Sequence, residues 1–303
     1  MFITADISNI SRGSLHDGEG VRTVVYFKGC GMRCRWCHNP ETFRNEKEIL
    51  FNPQKCIRCG ECIDVCPEHH RIVQGESEFL RDGCTKCGKC AELCPNGALW
   101  VCGEKMTVEQ VYDEIVKDRH YYEESGGGIT LSGGECLLQA DFAAELLKRC
   151  KEENINTAIE SAFFVPYEKV KKVLPYLDFV YADLKIPDSA KHKKYTGQGN
   201  ELIIENIRRL SNEFDNIVIR IPLIPGVNDS VEDMEKFSEI IRSFGSGIKG
   251  VELLRYNYLA ESKYASLGMR YESFGKEAQS EEQITKLYKK LKMEEILLKY
   301  LCR

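Results

Sequence analysis

Short apolar segments alternate with amphipathic segments along most of the chain. Residues 22–28 (RTVVYFK) are almost continuously apolar, which is typical of a parallel strand covered on both faces. Between such runs, apolar residues recur every three or four positions, as at Val108, Val111, Tyr112 and Ile115, and this spacing predicts a helix. The pattern therefore predicts an α/β protein in which strands and helices alternate.

The predicted strands cover residues 22–28, 128–132, 156–161, 179–184, 216–223 and 250–256. The predicted helices cover residues 107–124, 139–153, 167–174, 201–214, 231–244 and 280–292, and Thr107 with Gln110 forms a capping-box pattern at the first of them. About six such units favour a partial (β/α)6 barrel, an incomplete version of the TIM barrel. A doubly wound sheet would show much the same pattern. In either fold, chemistry is expected at the carboxyl ends of the strands.

Residues 48–103 interrupt this alternation. They contain two copies of one cysteine pattern, 28 residues apart, and leave little room for long helices. We therefore predict three parts: residues 1–47 begin the barrel, residues 48–103 form an inserted small domain, and residues 104–303 complete the barrel and end in a helix.

Composition and charge exclude several classes of protein. The 303 residues are 43% hydrophobic and 29% charged, as in a folded protein with a large core. The 42 basic and 47 acidic residues give a net charge of −5, which argues against binding driven by nucleic-acid phosphates. No run of about 18 apolar residues and no signal-peptide pattern occur. We therefore expect a cytoplasmic protein that neither spans a membrane nor binds nucleic acid.

Fifteen cysteines are the unusual feature of the composition, and eleven of them lie between Cys30 and Cys94. An odd number without an export signal favours metal binding over disulfides. Residues 56–67 and 84–95 both match C-x2-C-x2-C-x3-C-P, the bacterial ferredoxin spacing, in which the fourth cysteine ligates the other of two [4Fe–4S] clusters. Zinc, the alternative, usually takes two separate C-x-x-C pairs. The predicted ligand sets are Cys56, Cys59, Cys62 and Cys94 for one cluster, and Cys84, Cys87, Cys90 and Cys66 for the other.

A third group, Cys30, Cys34 and Cys37, follows the first predicted strand with the spacing C-x3-C-x2-C. Three thiolates would satisfy three irons of a [4Fe–4S] cluster and leave the fourth open, and an open metal position indicates chemistry. An incomplete zinc site is the alternative. The position after a strand and beside two further clusters favours an iron–sulfur catalyst.

This third group resembles the signature of the radical S-adenosylmethionine (SAM) superfamily, with Trp36 as its aromatic residue. The resemblance implies that SAM chelates the open iron and that one electron cleaves it to methionine and a 5′-deoxyadenosyl radical. From residue 15 to about 268 the chain resembles the activating enzymes of glycyl radical enzymes. Residues 17–22 (DGEGVR) are similar to their DGPG-x-R motif, and residues 37–42 (CHNPET) match their usual continuation. The implied activity is abstraction of a hydrogen from a glycine of a partner enzyme.

The resemblance also implies contacts to SAM. Residues 132–135 (SGGE) follow a strand, and Asp183 and Lys185 lie on one side of another strand, where they suit a zwitterionic methionyl group. A turn and a structural ion pair are the simpler interpretations. Glu160 and Ser161 align with ligands of a monovalent cation, although a helix cap would explain them too. The expected SAM contacts are Trp36, His38, Gly133, Gly134, Glu135, Asp183, Leu184, Lys185, Arg220 and Asn257.

Three positions depart from the family pattern. Asn257 takes the place of the histidine in the usual L-P-Y-H; its amide donates hydrogen bonds but carries no charge, which Arg255 could supply. Glu19 replaces a proline in the glycine motif. Cys136 follows the SGGE segment where proline is common, and we expect it, like Cys150, to be a buried packing residue.

Partners follow from the same resemblance. A glycyl radical enzyme would be the protein substrate, with Asp17 and Arg22 holding its glycine loop. A flavodoxin or ferredoxin would supply electrons through the two inserted clusters, and the chain is expected to be a monomer. Two alternatives stay open: a radical SAM enzyme acting on a small molecule or peptide, and a ferredoxin-type electron carrier, in which Cys30→Ala would leave function intact.

Overall fold

The computed structural model describes residues 3–291 and 297–301. Its strands, in chain order, are β1 (Thr4–Ser14), β2 (Arg22–Phe27), β3 (Glu48–Phe51), β4 (His70–Val73), β5 (Glu76–Phe79), β6 (Leu99–Cys102), β7 (Glu104–Thr107), β8 (Gly128–Gly133), β9 (Asn156–Ser161), β10 (Phe179–Asp183), β11 (Ile217–Pro222), β12 (Ile248–Leu254) and β13 (Leu297–Leu301). Its helices are α1 (Glu61–Val65), α2 (Lys89–Glu92), α3 (Val108–Ile115), α4 (Arg119–Ser125), α5 (Ala140–Glu152), α6 (Tyr167–Val173), α7 (Ser189–Thr196), α8 (Glu201–Glu213), α9 (Val231–Arg242), α10 (Glu261–Ser266) and α11 (Glu281–Leu291).

One nine-stranded sheet organises the fold, in the order β13-β12-β11-β10-β9-β8-β2-β1-β7. From β2 to β13 every neighbouring pair is parallel, whereas β1 is antiparallel to both β2 and β7. The parallel strands follow one another in chain order. A doubly wound sheet reverses its order at a switch point, so that alternative is wrong, while the predicted mixed α/β class is confirmed.

Most predicted elements are confirmed to within two residues, because their apolar faces enter one continuous core. The predicted helix over residues 107–124 is wrong as a single helix: α3 ends at Ile115, and α4 begins at Arg119 after one turn. Its capping box at Thr107 and Gln110 is confirmed. The break occurs where Asp118 turns inward to accept hydrogen bonds from Arg12 (2.9 Å) and Thr23 (2.8 Å).

Residues 48–103 contain two two-stranded sheets, β3 with β6 and β4 with β5, and the short helices α1 and α2. The two cysteine runs have the same backbone conformation. Arg58 and Lys86 have φ of 60° and 57°, and Gly60 and Gly88 have φ of 90° and 93°. The repeated sequence pattern is therefore also a structural repeat.

The parallel sheet brings the carboxyl ends of β2 and β8–β12 to one edge, because all of these strands run in the same direction. The segments that follow these strands meet there and form the candidate site. Within the described ranges, no helix is long and apolar enough to cross a lipid bilayer.

Candidate active site

An open cavity of about 450 Å³ lies at this edge of the sheet. Most residues predicted to take part in the chemistry line it, although they come from the ends of five strands and from the segment before β2. The predicted residues that line the cavity are Asp17, Cys30, Cys34, Trp36, Cys37, His38, Gly133, Gly134, Glu160, Asp183, Lys185 and Asn257. The predicted residues outside its lining are Arg22, Glu135, Leu184 and Arg220.

The three cysteines of the loop after β2 lie close enough for their thiols to interact. Burial raises the pKa of Cys34 to about 12, with Cys30 contributing in the same direction, and it also raises the pKa of Cys37. Backbone amides point at the sulfurs: the N–H of Met32 donates to Cys30 Sγ, and that of Asn39 to Cys37 Sγ, both at 3.4 Å. The loop therefore presents three thiols, with amide donors, to one cavity.

Helix α7 supports this cysteine loop through two backbone hydrogen bonds. The backbone N–H groups of Arg33 and Arg35 donate to the carbonyls of Thr196 (2.7 Å) and Tyr195 (3.1 Å). Those carbonyls belong to the last turn of α7, where carbonyl groups lack partners within the helix. The sequence does not predict α7, because its residues show no apolar periodicity.

Asp183 and Lys185 form an ion pair in the cavity wall at the end of β10. Lys185 Nζ lies 2.7 Å from Asp183 Oδ2, and both side chains are about 15% exposed (15% and 16%). Burial opposes the charge on Lys185, but Asp183, Cys34 and Glu160 together outweigh burial and raise the pKa of the lysine. The cavity wall thus offers both a carboxylate and an ammonium group, on the same side of the strand as the alternation predicts.

Gly133 and Gly134 form the cavity wall with their backbone. Gly133 has φ of 107°, a conformation that favours glycine. A Cβ on Gly134 would lie 2.2 Å from the carbonyl oxygen of Gly29, so the end of β8 packs directly on the loop after β2. Only glycine permits this close approach.

The Glu135 carboxylate turns away from the cavity. It accepts hydrogen bonds from the Ser161 hydroxyl (2.8 Å) and from the backbone N–H groups of Leu137 and Ala162 (both 3.2 Å). Burial raises the pKa of Glu135 to about 7. In this position the side chain connects the ends of β8 and β9.

Arg220 lies behind the cavity wall and is fully buried. Its guanidinium donates to Glu252 (2.9 Å), to Glu160 (2.9 Å) and to the backbone carbonyl of His16 (2.8 Å). The other carboxylate oxygen of Glu160 accepts from Ser132 at 3.0 Å. Glu160 and Ser161 are thus engaged with different partners. No three His, Cys, Asp or Glu side chains in the described part of the chain converge as a single metal ion would require.

The DGEG segment separates the two residues predicted to hold a partner loop. Asp17 reaches the cavity. Arg22 is fully buried, and its side chain donates to Thr130 Oγ1 (2.8 Å) and Asn156 Oδ1 (3.0 Å) and stacks on Phe179. Asp17 therefore lines the cavity, whereas Arg22 does not.

The segment after β12 contacts the cysteine loop. Asn257 lines the cavity, and its backbone carbonyl lies 3.2 Å from His38 Nε2. Arg255 also reaches the cavity and lies 3.8 Å from Glu281. The positive charge expected near Asn257 is therefore present on Arg255, which also interacts with the Glu281 carboxylate.

The eight cysteines of residues 48–103 fall into two groups of neighbouring thiols. Cys62 has Cys56, Cys59 and Cys94 as its neighbours, and Cys90 has Cys66, Cys84 and Cys87. Each group takes its fourth thiol from the other run, which is the crossed arrangement that the spacing predicts. None of the fourteen described cysteines forms a disulfide. Cys136 and Cys150 are fully buried, whereas Cys302 lies outside the described residues.

Comparisons with known proteins agree with this geometry. Residues 24–238 match the family model of the Radical SAM superfamily. The chain is 42% identical over 272 residues (88% of this chain, 86% of the relative) to (2S)-3-sulfopropanediol dehydratase activating enzyme of Klebsiella oxytoca. It is 40% identical over 289 residues (93% of each chain) to choline trimethylamine-lyase activating enzyme of Oleidesulfovibrio alaskensis.

Among solved structures, a radical SAM methyltransferase from Sphaerobacter thermophilus shares the fold, with a TM-score of 0.54 and 14% identity over 97% of this chain and 76% of that chain. The fold is thus that of the superfamily, and the two activating enzymes extend the similarity to nearly the whole chain. The chain therefore belongs to the radical SAM superfamily and, within it, to the activating enzymes of glycyl radical enzymes.

Proposed function

We propose that this protein cleaves SAM reductively and removes a hydrogen atom from a glycine Cα of a partner glycyl radical enzyme. The observation that carries the proposal is the shared cavity, which joins three thiols to the Asp183–Lys185 pair. The relatives named above are activating enzymes of different partners, so the proposal names glycyl radical enzymes as a class.

The cysteine loop fits a [4Fe–4S] cluster with one open iron. It offers three thiols rather than four, and the cavity leaves room beside them for a ligand. When bound, the cluster supplies the electron that breaks the C5′–S bond of SAM, which gives methionine and the 5′-deoxyadenosyl radical that takes the glycine hydrogen. The residues of the chain bind and orient SAM and the glycine.

Each SAM contact is proposed according to its position. Asp183 and Lys185 would bind the amino and carboxyl groups of the methionyl part, next to the backbone of Gly133 and Gly134. Trp36 packs on Tyr195 and Phe274 and offers an apolar wall, and His38 and Asn257 would add polar contacts. Glu135, Leu184 and Arg220 would act as supports behind the cavity rather than as contacts. A monovalent cation at Glu160 and Ser161 stays a prediction of the sequence.

Asp17 is proposed to contact the glycine loop of the partner, because it reaches the cavity in which hydrogen abstraction would occur. Arg22 would hold the DGEG segment in place, since its guanidinium also donates to the carbonyl of Glu19 at 3.3 Å. Of the two residues predicted to hold the glycine loop, we therefore propose a direct contact for Asp17 only.

Residues 48–103 are proposed to be a ferredoxin-like domain with two further [4Fe–4S] clusters, which makes three in total. The two crossed groups of four thiols support this assignment. These clusters would pass electrons from a flavodoxin or ferredoxin to the cluster at the cavity. The chain is proposed to act as a monomer in the cytoplasm. Its fourteen free cysteines are consistent with a reducing compartment.

The parallel sheet is proposed to curve as a partial barrel formed by residues 1–47 and 104–303. In a flat sheet β2 and β11 would lie about 19 Å apart, since four strand spacings separate them. Arg220 on β11 nevertheless bonds to His16 in the segment before β2. This contact supports curvature that brings the two strands together around the cavity.

Anaerobic spectroscopy tests the proposed function. The reconstituted protein is mixed with SAM, a flavodoxin reductant and a glycyl radical enzyme from the same organism, and electron paramagnetic resonance is recorded. We expect a glycyl radical on the partner and one 5′-deoxyadenosine per radical formed. Cys30→Ala is the control and should give neither product. Electron transfer that is unchanged in Cys30→Ala, with no SAM cleavage by either protein, would favour the electron-carrier alternative.

A radical SAM enzyme for a small molecule or a peptide is the remaining alternative. It predicts that SAM is cleaved while no glycyl radical appears on any glycyl radical enzyme of the organism. That result would overturn the activating function but leave the cluster site standing. Product analysis and resonance spectra on the same samples distinguish the two outcomes.

A further inference from the structure

Helix α10 places an unassigned tyrosine hydroxyl behind the three cysteines of the loop after β2. Tyr264 is 4% exposed, and its hydroxyl makes no hydrogen bond of normal geometry with any residue that the structure describes. A buried hydroxyl without a partner costs about 1–3 kcal/mol. Its position therefore calls for an acceptor in the assembled site.

The groups that interact with this hydroxyl include the cysteine loop. Burial and the thiols of Cys37 and Cys34 raise the pKa of Tyr264, and the backbone amide of Cys37 also lies close. Both thiols belong to the loop that would hold the cluster, and the unpartnered hydroxyl is a hydrogen-bond donor. Tyr264 does not line the cavity, so SAM is not the acceptor.

Contacts on both sides of α10 hold the hydroxyl in position. Lys263 donates to Asn39 (2.9 Å) and Glu41 (2.7 Å), immediately after the cysteine loop. At the other end of the helix, the side chain of Arg81 donates to the carbonyl of Ser266. These bonds tie α10 to the cysteine loop and to residues 48–103 at once.

We propose that Tyr264 donates a hydrogen bond to a sulfur of the cluster held by Cys30, Cys34 and Cys37 and thereby raises the reduction potential of that cluster. The inference rests on the cluster of the proposed function. A donor to a cluster sulfur stabilises the more negative, reduced state. Together with the backbone amides of Met32 and Asn39, the phenol would make it easier for the cluster to accept an electron.

A redox titration of the reconstituted enzyme, followed by electron paramagnetic resonance, tests this role. Tyr264→Phe removes the hydroxyl and keeps the ring. We expect the midpoint potential of the SAM-binding cluster to fall by about 59 mV, which corresponds to a tenfold change in its one-electron equilibrium. The affinity for SAM should not change. Tyr271→Phe is the matched control, because the Tyr271 ring lies 5.2 Å from Tyr264 but its hydroxyl bonds to Tyr256.

Deuterium exchange gives a second readout that does not depend on turnover. Electron–nuclear double resonance of the reduced cluster in heavy water should detect one exchangeable deuteron in the wild type and in Tyr271→Phe that Tyr264→Phe lacks. An unchanged potential with an unchanged deuteron spectrum would overturn the proposal. If Tyr264→Phe assembles no cluster, the wild-type spectrum alone tests the proposal. The proposal is then overturned if that spectrum shows deuteron couplings from backbone amides only. A shifted potential without glycyl radical formation would instead refute only the activating function.

Discussion

Buried charges around the cavity are paired, and their positions decide what each pair can do. The pair of Asp183 and Lys185 faces the cavity with both of its members, whereas Arg220 and Glu252 lie behind the wall and only Glu160 of that group also lines the cavity. Only the first pair can exchange its internal contact for contacts to a zwitterionic ligand. The second holds together the strands that position the first.

Lys185→Met should separate stability from SAM binding. It leaves the buried Asp183 carboxylate unpaired, so the free energy of unfolding should fall by about 3 kcal/mol. The double variant Asp183→Asn/Lys185→Met carries no buried charge at this place and should recover most of that loss. Both variants should bind SAM at least about tenfold more weakly. Anaerobic denaturant unfolding and equilibrium dialysis measure the two effects, and SAM binding at wild-type strength in Lys185→Met would contradict the assigned contact.

His192 in α7 should make stability depend on pH. Its Nδ1 lies 2.6 Å from the carbonyl oxygen of Gln198 and therefore carries the proton of the neutral ring. Burial lowers the pKa of His192, and Lys185 acts in the same direction. Because the folded-state pKa lies below the unfolded value of about 6.5, the stability contributed by the neutral ring is present above that pH and is lost as the pH falls through the folded-state pKa.

His192→Gln, which does not titrate, should therefore give a flatter profile than the wild type. The measurement is the free energy of unfolding from about pH 8 to about pH 5, for both proteins at equal cluster content. Parallel profiles would show that the imidazole does not titrate as inferred.

At the scale of elements, the sequence predicts a strand or helix whose burial pattern is visible in its own residues. It does not predict an element whose position depends on contacts with distant parts of the chain. The Val- and Ile-rich strands and the amphipathic helices carry their burial in their own periodicity. Helices α7 and α10 do not, because short polar helices show no apolar face, although Asp188 before α7 and Gly197 after it (φ 84°) were available as boundary signals.

The site shows the same division. The spacing of the cysteines and the glycine pair determines which backbone lines the cavity. The direction of the Glu135, Arg22 and Arg220 side chains could not be predicted from the sequence, because each is set by partners on distant strands. Family motifs indicate that such residues matter near the cofactor, but not whether they touch it.

Helix α7 offers a test of how an element supports the cysteine loop. Asp188 caps α7 by accepting from the N–H of Lys191 at 2.7 Å, and Ser230 caps α9 in the same way, accepting from Asp233 at 3.0 Å. Alanine at either position should lower the free energy of unfolding by about 1 kcal/mol. Only Asp188→Ala should also speed the loss of the SAM-binding cluster to a chelator, because α7 holds the loop through its last carbonyls. Equal rates of cluster loss in the two variants would contradict this role.

At the scale of the whole molecule, the two parts of the chain draw stability from different sources. The sheet and its helices enclose a large apolar core. Residues 48–103 contain a separate apolar cluster with only Ile49, Cys90 and Leu99 fully inside it, and Phe51 and Phe79 partly buried. So small a core is expected to depend on bound metal for its stability.

Metal removal should therefore unfold residues 48–103 before the rest of the protein. After anaerobic chelation, limited proteolysis is expected to cut first within residues 56–96, while residues 104–291 stay intact because they supply no ligand cysteine and most of the large apolar core. Cys30→Ala provides the control: it removes one ligand of the cluster at the cavity and leaves the eight thiols of residues 48–103, so the segment should stay resistant when reconstituted. Equal resistance of this segment with and without metal, measured by mass spectrometry of the fragments, would show that its own side chains hold it together and would remove the structural reason for two further clusters.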